Sequence, residues 1–237
     1  FHNIINFISQ FFMKKSICIF FILFSFFKVF ADELNYKNIS KIEMDVLRND
    51  EVIGFSNYFF KHSGDTMIVE NYTKFNVELF GIKVFSINSK AKEIYQKNNL
   101  LSFESSTLQN DKKKFVKLIY DENKNKFIIN GSSYVGEANR ENIIGNWWNA
   151  KILETKTQIS PLSGSIKKQE VNFTNKDEID YKGKKIKLFQ YKLKSTENLP
   201  DDKKLDFDIW LNPNEGIIFK VKYNRLGSWE YRLKNYE

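Results

Sequence analysis

The stretch of sequence that decides the fold is GDTMIVENYTKFNVELFGIKVFSINSKAKEIYQKNNLLSFESSTLQNDKKKFVKLIYDE, residues 64–122. Apolar and polar residues alternate in it, and the alternation is interrupted by Gly, Asn, Asp and Lys. A period of two places successive side chains on opposite faces of a β-strand, whereas Gly, Asn and Asp favour the tight turns between strands. The stretch therefore predicts four strands that follow one another through hairpins.

The same pattern extends outward from this stretch in both directions. Upstream, Ile42, Met44 and Val46 alternate with charged residues, and downstream the run KFIING completes seven candidate strands between residues 39 and 131. Strands resume after Glu154 and bring the total to twelve or thirteen, without a Pro/Gly/Ser-rich linker. Because flat open sheets of this many strands are uncommon, we predict a mostly β fold: a single large curved antiparallel sheet, either a half-barrel or an open barrel.

One internal segment, SSYVGEANRENIIGNWWNAKILE (residues 132–154), lacks the period of two and carries two of the four Trp residues. Its NWWNAKILE end is compatible with a short helix. The inner face of a curved sheet must be filled by side chains, covered by a segment of the chain or left open for a ligand. We therefore predict that residues 132–154 form a loop or short-helix plug, or a lid.

The N-terminal residues have the order of a secretion signal. The first methionine is Met13, and Lys14 and Lys15 precede an apolar run at residues 17–27. Residues 29–31, Val-Phe-Ala, form a suitable cleavage site. An apolar run of eleven residues is too short for a transmembrane helix, which needs about 20.

These features predict three segments. Residues 1–12 are expected to be untranslated, residues 13–31 to be a signal peptide and residues 32–237 to be a single exported β domain in the periplasm. The alternative is an inner-membrane anchor formed by residues 17–31. Cleavage would also remove Cys18, which is the only cysteine, so the exported domain would have no disulfide.

Composition argues against several functional classes. The net charge is +8, but only four of the 37 basic residues are Arg, the residue preferred for bidentate phosphate contacts, so we expect no nucleic-acid partner. No Gly-rich phosphate loop occurs. After cleavage His62 is the only histidine, and a His/Cys zinc site would lack ligands. We therefore expect no catalytic residue, no metal and no cofactor.

An acidic pair is the remaining catalytic candidate. Asp206 and Asp208 alternate in LDFDIW, which would place both carboxylates on one face of a strand, about 7 Å apart. The opposite face carries Leu205, Phe207 and Ile209. We favour the interpretation that the two aspartates lie on the solvated face of a half-buried strand.

Two motifs resemble an exported bacterial family known as domain of unknown function family 6134. EIYQKNNLLSFESST, which begins at Glu93, is similar to the family hairpin E-x-W-x-x-G-x-L-x-S-x-x-S-x-T, with Tyr95 in place of Trp. Residues 146–149, Asn-Trp-Trp-Asn, correspond to the family signature S-H-W-N, with Trp147 in place of His. The resemblance covers roughly residues 42–234. It implies export and a β fold but no established activity, and the missing His implies that histidine chemistry is not required here.

The resemblance also suggests a shape similar to the periplasmic lipoprotein-carrier half-barrels, which hold acyl chains, although a shared fold does not establish function. Our main hypothesis is non-catalytic binding of a lipid or another apolar or amphipathic molecule in the concave face, by a monomer. The predicted ligand-binding residues are Asn146, Trp147, Trp148, Asn149 and Arg225. For the two tryptophans, packing of the plug against the sheet is the more common role.

Two other hypotheses stay open. The protein could be a component of the envelope that binds another envelope protein through exposed strand edges or a basic surface. It could also be an enzyme that uses carboxylates and tyrosines in the cup, for which Asp206, Asp208 and Arg225 are the first candidates.

Overall fold

A computed structural model describes residues 36–201 and 203–237. The predicted upstream residues 1–12, the predicted signal 13–31 and the alternative anchor 17–31 lie outside the described residues. The strands and the apolar clusters belong to one compact unit, Tyr36–Glu237, which therefore has a hydrophobic core of its own, as independently folding domains do. No helix of the described residues is both long enough and apolar enough to span a bilayer.

Within the described residues, fifteen strands form one sheet. They are β1 (Lys41–Arg48), β2 (Glu51–Ser63), β3 (Thr66–Leu79), β4 (Ile82–Gln96), β5 (Asn99–Gln109), β6 (Lys112–Asp121), β7 (Lys126–Gly131), β8 (Tyr134–Asn139), β9 (Ile143–Ile144), β10 (Thr157–Ile159), β11 (Ile166–Tyr181), β12 (Lys184–Ser195), β13 (Asp206–Asn212), β14 (Ile217–Asn224) and β15 (Ser228–Tyr236). Two short 3₁₀ helices cover Tyr36–Asn38 and Ala150–Leu153.

The strand order is β8-β7-β6-β5-β4-β3-β2-β1-β15-β14-β13-β12-β11-β10-β9. Every neighbouring pair is antiparallel except β9 and β10, which are parallel. The first and last strands, β1 and β15, pair along their length and so join two meanders into one sheet. The predicted mostly β fold, a single large and mainly antiparallel sheet, is confirmed.

Turn chemistry explains several of the hairpins. Four of them close through two residues that both have positive φ: Asn49-Asp50, Phe80-Gly81, Lys97-Asn98 and Lys182-Gly183. Turns of this kind match the twist of the flanking strands, and Asn, Asp and Gly tolerate the required backbone conformation.

The alternating strand directions divide the turns between two ends of the sheet. We call one of them the Phe80 end; it holds the turns at residues 49–50, 80–81, 110–111 and 225–227 and the loop 196–205. The turns at residues 64–65, 97–98, 122–125, 182–183 and 213–216 lie at the opposite end.

The sheet curls around a segment of its own chain. Its two edge strands, β8 and β9, are separated by only three residues, and their buried residues Ala138 and Ile144 share one apolar cluster. Residues 143–154, which we call the plug, contact both meanders. Ile152 packs in a cluster with Leu193 of β12, and Trp148 packs against Phe60 of β2. These strands lie on opposite sides of the β1–β15 pair, so the sheet must be curved to reach both sides of the plug.

The structure corrects two local predictions. Residues 132–154 were expected to lack strands, but they contain β8 and β9, since an edge strand is held by backbone pairing to one neighbour and needs no strong apolar period. The strands predicted after Glu154 include one at residues 158–168, QISPLSGSIKK, but the structure breaks it between β10 and β11, where Pro161 lacks an N–H donor and Gly164 has φ +77°. The predicted short helix is present as the 3₁₀ helix of the plug.

Candidate functional site

A buried carboxyl group lies where the plug meets the sheet. Glu93 is on β4, where residues at every second position face inward, and its side chain is only 2% exposed. An ionised carboxylate on the inner face of a sheet is costly unless hydrogen-bond donors surround it. The site is therefore defined by the groups that donate to Glu93.

Three neutral side chains supply these donors. Asn146 Nδ2 and Trp148 Nε1, both from the plug, donate to Glu93 Oε1 at 2.9 Å each. The Tyr95 hydroxyl, two residues along the same strand, donates to Glu93 Oε2 at 2.5 Å. Both carboxyl oxygens thus have partners, and two of the three bonds join the sheet to residues more than fifty positions away in sequence.

The environment of Glu93 shifts the pKa of its carboxyl group toward neutral pH. Burial raises the pKa of Glu93 to about 7, although the bonds from Tyr95, Trp148 and Asn146 act in the opposite direction. Burial, followed by the nearby Glu93 carboxyl, raises the pKa of Tyr95 well above its ordinary value. Since the carboxyl is sealed from solvent, it cannot contact a substrate in this arrangement, and its hydrogen bonds hold the plug. We call Glu93 and its three donors, Tyr95, Asn146 and Trp148, the latch.

Aromatic rings complete the latch. Trp148 makes edge contacts with Tyr36, Phe60 and Tyr95 at centroid distances of 5.0, 5.3 and 5.7 Å. The Tyr36 hydroxyl accepts from the backbone N–H of Ala150 and donates to the carbonyl of Gly216, each at 3.2 Å. The plug is therefore attached to the 3₁₀ helix at Tyr36–Asn38 as well as to β2 and β4.

The structure brings together three of the five predicted ligand-binding residues. Asn146, Trp148 and Asn149 are all buried in the latch. Asn146 Oδ1 accepts from the N–H of Asn149, and Asn149 Oδ1 caps the 3₁₀ helix by accepting from the N–H of Lys151. Their polar groups are thus engaged within the protein.

The other two predicted residues lie elsewhere. Arg225, at the Phe80 end, donates through Nη2 to the carbonyls of Asp201 and Lys204 and so holds the loop 196–205. Trp147 is half-buried and turns toward the C-terminal meander, where its ring lies 5.0 Å from that of Phe207.

Trp147 begins a row of aromatic side chains on the inner face. We call this set the aromatic row: Trp147, Phe207, Tyr223, Trp229 and Phe85. Successive ring centroids are 5.0, 5.4, 5.8 and 6.2 Å apart, and the Tyr223 and Trp229 rings are stacked. All except Trp229, which is 8% exposed, are only half-buried. The row runs from the plug to the Phe80 end.

Sequence reasoning missed Glu93 and Tyr95 as site residues, although both stand in the hairpin motif that carried the family resemblance. The available signal was a glutamate at an inward position of an alternating strand, between Ala91 and Tyr95. A charged residue at such a position needs buried partners, so it marks a site.

The other chemical candidates are placed on the surface. Lys192 Nζ lies 2.6 Å from Asp206 and 3.0 Å from Asp208, and the inward-facing Phe207 and Ile209 pack below them, so the two carboxylates form a surface ion-pair cluster. His62 Nε2 lies 3.2 Å from the carbonyl oxygen of Ile39 near an exposed strand end. Among residues 36–201 and 203–237, no group of three His, Cys, Asp or Glu side chains is arranged to hold a metal ion.

Comparison with known proteins gives one family and one structural relative. A solved structure, a beta-barrel-like protein of domain of unknown function DUF1849 from Brucella abortus, matches with a TM-score of 0.57 and 9% sequence identity, over 84% of this chain and 97% of that one. At this identity the match shows the fold alone. The comparison with curated proteins found no match. The model of the family DUF6134, described as a domain of unknown function, matches residues 44–234, and the chain therefore belongs to that family.

Proposed function

We propose that this protein is an exported, non-catalytic binding protein of the bacterial envelope, which holds an apolar or amphipathic molecule against the aromatic row. The observation that carries the proposal is the partial exposure of four of the five rings on the inner face of the sheet. Inward-facing aromatic side chains are normally buried, because each removes a large apolar area from water. A row of them that stays partly accessible offers the surface that an acyl chain or a similar group needs.

The latch supports a binding role over a catalytic one. Glu93, the buried carboxyl of the inner face, uses both of its oxygens to hold the plug. Asp206 and Asp208 pair with Lys192 on the surface. The plug gives the aromatic row a fixed inner wall through Trp147, and rigid walls favour binding because little ordering is required.

Export rests on the N-terminal sequence. Lys14 and Lys15, the apolar run 17–27 and the Val-Phe-Ala at residues 29–31 have the order that a secretion signal requires. Expression of the chain from Met13 in a Gram-negative bacterium, followed by fractionation and N-terminal sequencing, tests this part. We expect periplasmic protein that begins at Asp32, and a full-length product retained in the cytosol would contradict it.

Binding is tested on residues 36–237, with a matched pair of variants. Extraction and mass spectrometry of the purified protein identify any amphiphile that copurifies. Titration with the fluorescent fatty acid cis-parinaric acid, followed by energy transfer from tryptophan, measures the affinity. We expect saturable binding that Phe207→Ala weakens at least tenfold. Phe173→Ala, which removes an aromatic ring that is 52% exposed outside the row, should change the affinity less than twofold.

Two results would contradict the proposal. One is the absence of both a copurified amphiphile and saturable binding of the fatty acid. The other is an equal loss of affinity in Phe207→Ala and Phe173→Ala, which would place any binding away from the aromatic row. Thermal unfolding of both variants establishes that each is folded before affinities are compared.

A further inference from the structure

The hairpin of β3 and β4 projects from the Phe80 end. The last residue pair between β4 and its neighbour β5 joins Ile87 to Gln109, yet β4 begins at Ile82. Ser86 is still bonded to Asn110 of the turn that follows β5, so four residues of β4 (82–85) extend past this neighbour, which at about 3.3 Å per residue is a projection of roughly 13 Å. This length of β4 is paired only with β3.

The tip of this hairpin exposes three apolar side chains. Phe80 is 104% exposed, Ile82 68% and Val84 46%. Phe80 also has φ +53°, in the left-handed region that an L-residue with a bulky side chain adopts at a cost in free energy. The hairpin turn requires positive φ here, which Asn or Gly adopts at lower cost, so the exposed phenylalanine is a candidate for a contact outside the domain.

A second tip at the same end repeats this combination. Leu226, between β14 and β15, is 91% exposed and has φ +51°. The two tips belong to hairpins that are separated in the sheet only by β2 and β1. The Phe80 end thus carries two exposed apolar tips.

Basic residues surround the larger tip. The β3–β4 hairpin carries Lys74 and Lys83, and the adjacent β5–β6 hairpin carries three consecutive lysines at residues 112–114. Near the tips, residues 74–84 and 110–114 together contain two carboxylates, Glu78 and Asp111, so in these two stretches lysines exceed acids by three. None of these lysines forms an ion pair with another described residue.

We propose that the Phe80 end docks on a bilayer that contains anionic phospholipid, with the tips at Phe80 and Leu226 inserted among the headgroups and the lysines on the lipid phosphates. A membrane fits this surface better than a protein does. A stable protein interface buries about 800 Å² per partner, whereas narrow apolar tips suit insertion to the depth of the headgroups. The proposal does not depend on ligand binding by the aromatic row, and its test uses residues outside that row.

Co-sedimentation of residues 36–237 with vesicles tests the docking. One set of vesicles is pure phosphatidylcholine, and the other contains one quarter phosphatidylglycerol. We expect binding at least tenfold stronger to the anionic vesicles. Phe80→Asn, which suits the positive φ, should weaken binding at least tenfold, and so should Ile82→Ser. Ile119→Ser is the matched control, because Ile119 is 64% exposed but lies toward the opposite end of β6, and it should leave binding unchanged.

The electrostatic part has its own pair of variants. A lysine close to an anionic surface contributes about fivefold to binding. The double variant Lys112→Gln/Lys113→Gln should therefore bind anionic vesicles with an affinity at least tenfold lower than that of the wild type. The control Lys184→Gln/Lys185→Gln changes two exposed lysines that also start a strand after a turn, but at the opposite end, and should change binding less than twofold.

Three results would overturn the proposal. The first is the absence of binding to anionic vesicles by the folded protein. The second is an equal loss of affinity for anionic vesicles in the test variants and in their control variants. The third is an oligomer or a complex with another protein that Phe80→Asn disrupts while vesicle binding is absent, since this would assign the tips to a protein interface. Light scattering of the wild type and of Phe80→Asn distinguishes the third result from the first.

Discussion

At the scale of the residue, Glu93 makes stability depend on pH. Its pKa is raised to about 7 in the folded protein from an ordinary value of 4.5, so between these values the folded state retains a proton that the unfolded state has lost. The stabilisation is complete below pH 4.5 and is lost as the pH rises through 7, by about 3 kcal/mol in total.

Substitution of Glu93 by Gln isolates this effect. Glutamine has the shape of the protonated acid, and it can accept from Asn146 and Trp148 once the Tyr95 hydroxyl turns. We expect the free energy of unfolding in urea to fall from pH 5 to pH 8 in the wild type and to fall much less in Glu93→Gln. Glu104→Gln, a change at an exposed position of β5, should keep the wild-type slope. Equal slopes in all three proteins would show that another group controls the pH dependence.

The strained tips give a second prediction at this scale. Phe80 and Leu226 have φ +53° and +51° and are almost fully exposed, so their side chains contribute little to the core. Asparagine tolerates this backbone conformation better. We expect Phe80→Asn and Leu226→Asn each to raise the free energy of unfolding by about 0.5–1 kcal/mol in urea titrations.

Val52→Asn serves as the control for these tips. Val52 is 61% exposed at the same end of the sheet but does not have a positive φ. Val52→Asn should therefore change the free energy of unfolding by no more than about 0.5 kcal/mol. Loss of stability in both tip variants would mean that the apolar side chains pack more favourably in the folded protein than their exposure indicates.

At the scale of the element, the plug is held by one tryptophan much more than by the next. Trp148 is 1% exposed, contacts three aromatic rings and donates to Glu93. Trp148→Phe removes the hydrogen-bond donor to Glu93 and leaves a cavity, so we expect the free energy of unfolding to fall by about 2–3 kcal/mol. Trp147→Phe, at a half-buried position, should lose about 1 kcal/mol or less. Urea unfolding of the two variants gives the comparison, and similar losses would argue against the latch.

The elements also show how far local pattern predicts this fold. Strands β1 to β7 follow from apolar alternation because each buries one face, and their turns follow from Asn, Asp and Gly. The edge strand β8 has no such pattern, since pairing with β7 alone holds it. Asn146 and Trp148 are recognisable as a motif, but their role required the position of Glu93. Asn146 and Trp148 are 53 and 55 residues away from Glu93 in the sequence, and local periodicity carries no information about contacts over such a separation.

At the scale of the whole Tyr36–Glu237 unit, the sheet consists of two meanders, residues 41–139 and 157–236, and the plug lies between them in sequence and supplies the edge strand β9. Their strands join only where β1 pairs with β15, and the plug contacts both meanders from inside. Pairing of β1 with β15 is the most non-local strand pairing within the Tyr36–Glu237 unit, and such contacts slow folding. The latch and the β1–β15 pair therefore perform the same task, since each holds the two meanders together.

Circular permutation separates these two contributions. The carbonyl of Glu237 accepts from the N–H of Ser40 at 2.6 Å, so a short Gly linker can join the ends of the unit. New ends placed between Asn123 and Lys124, in an exposed turn at the opposite end, interrupt no strand and should leave the free energy of unfolding within about 2 kcal/mol of the linear protein.

New ends between Gly145 and Asn146 should have a much larger effect. They cut the plug beside the residue that donates to Glu93, and the freed segment then loses entropy when it returns to the latch. We expect this permutant to keep the circular dichroism spectrum of a β protein and to lose at least twice as much stability in urea as the first one. Equal stability of the two permutants would mean that the β1–β15 pair holds the meanders without help from the plug, and that Glu93 is a buried group without a fastening role.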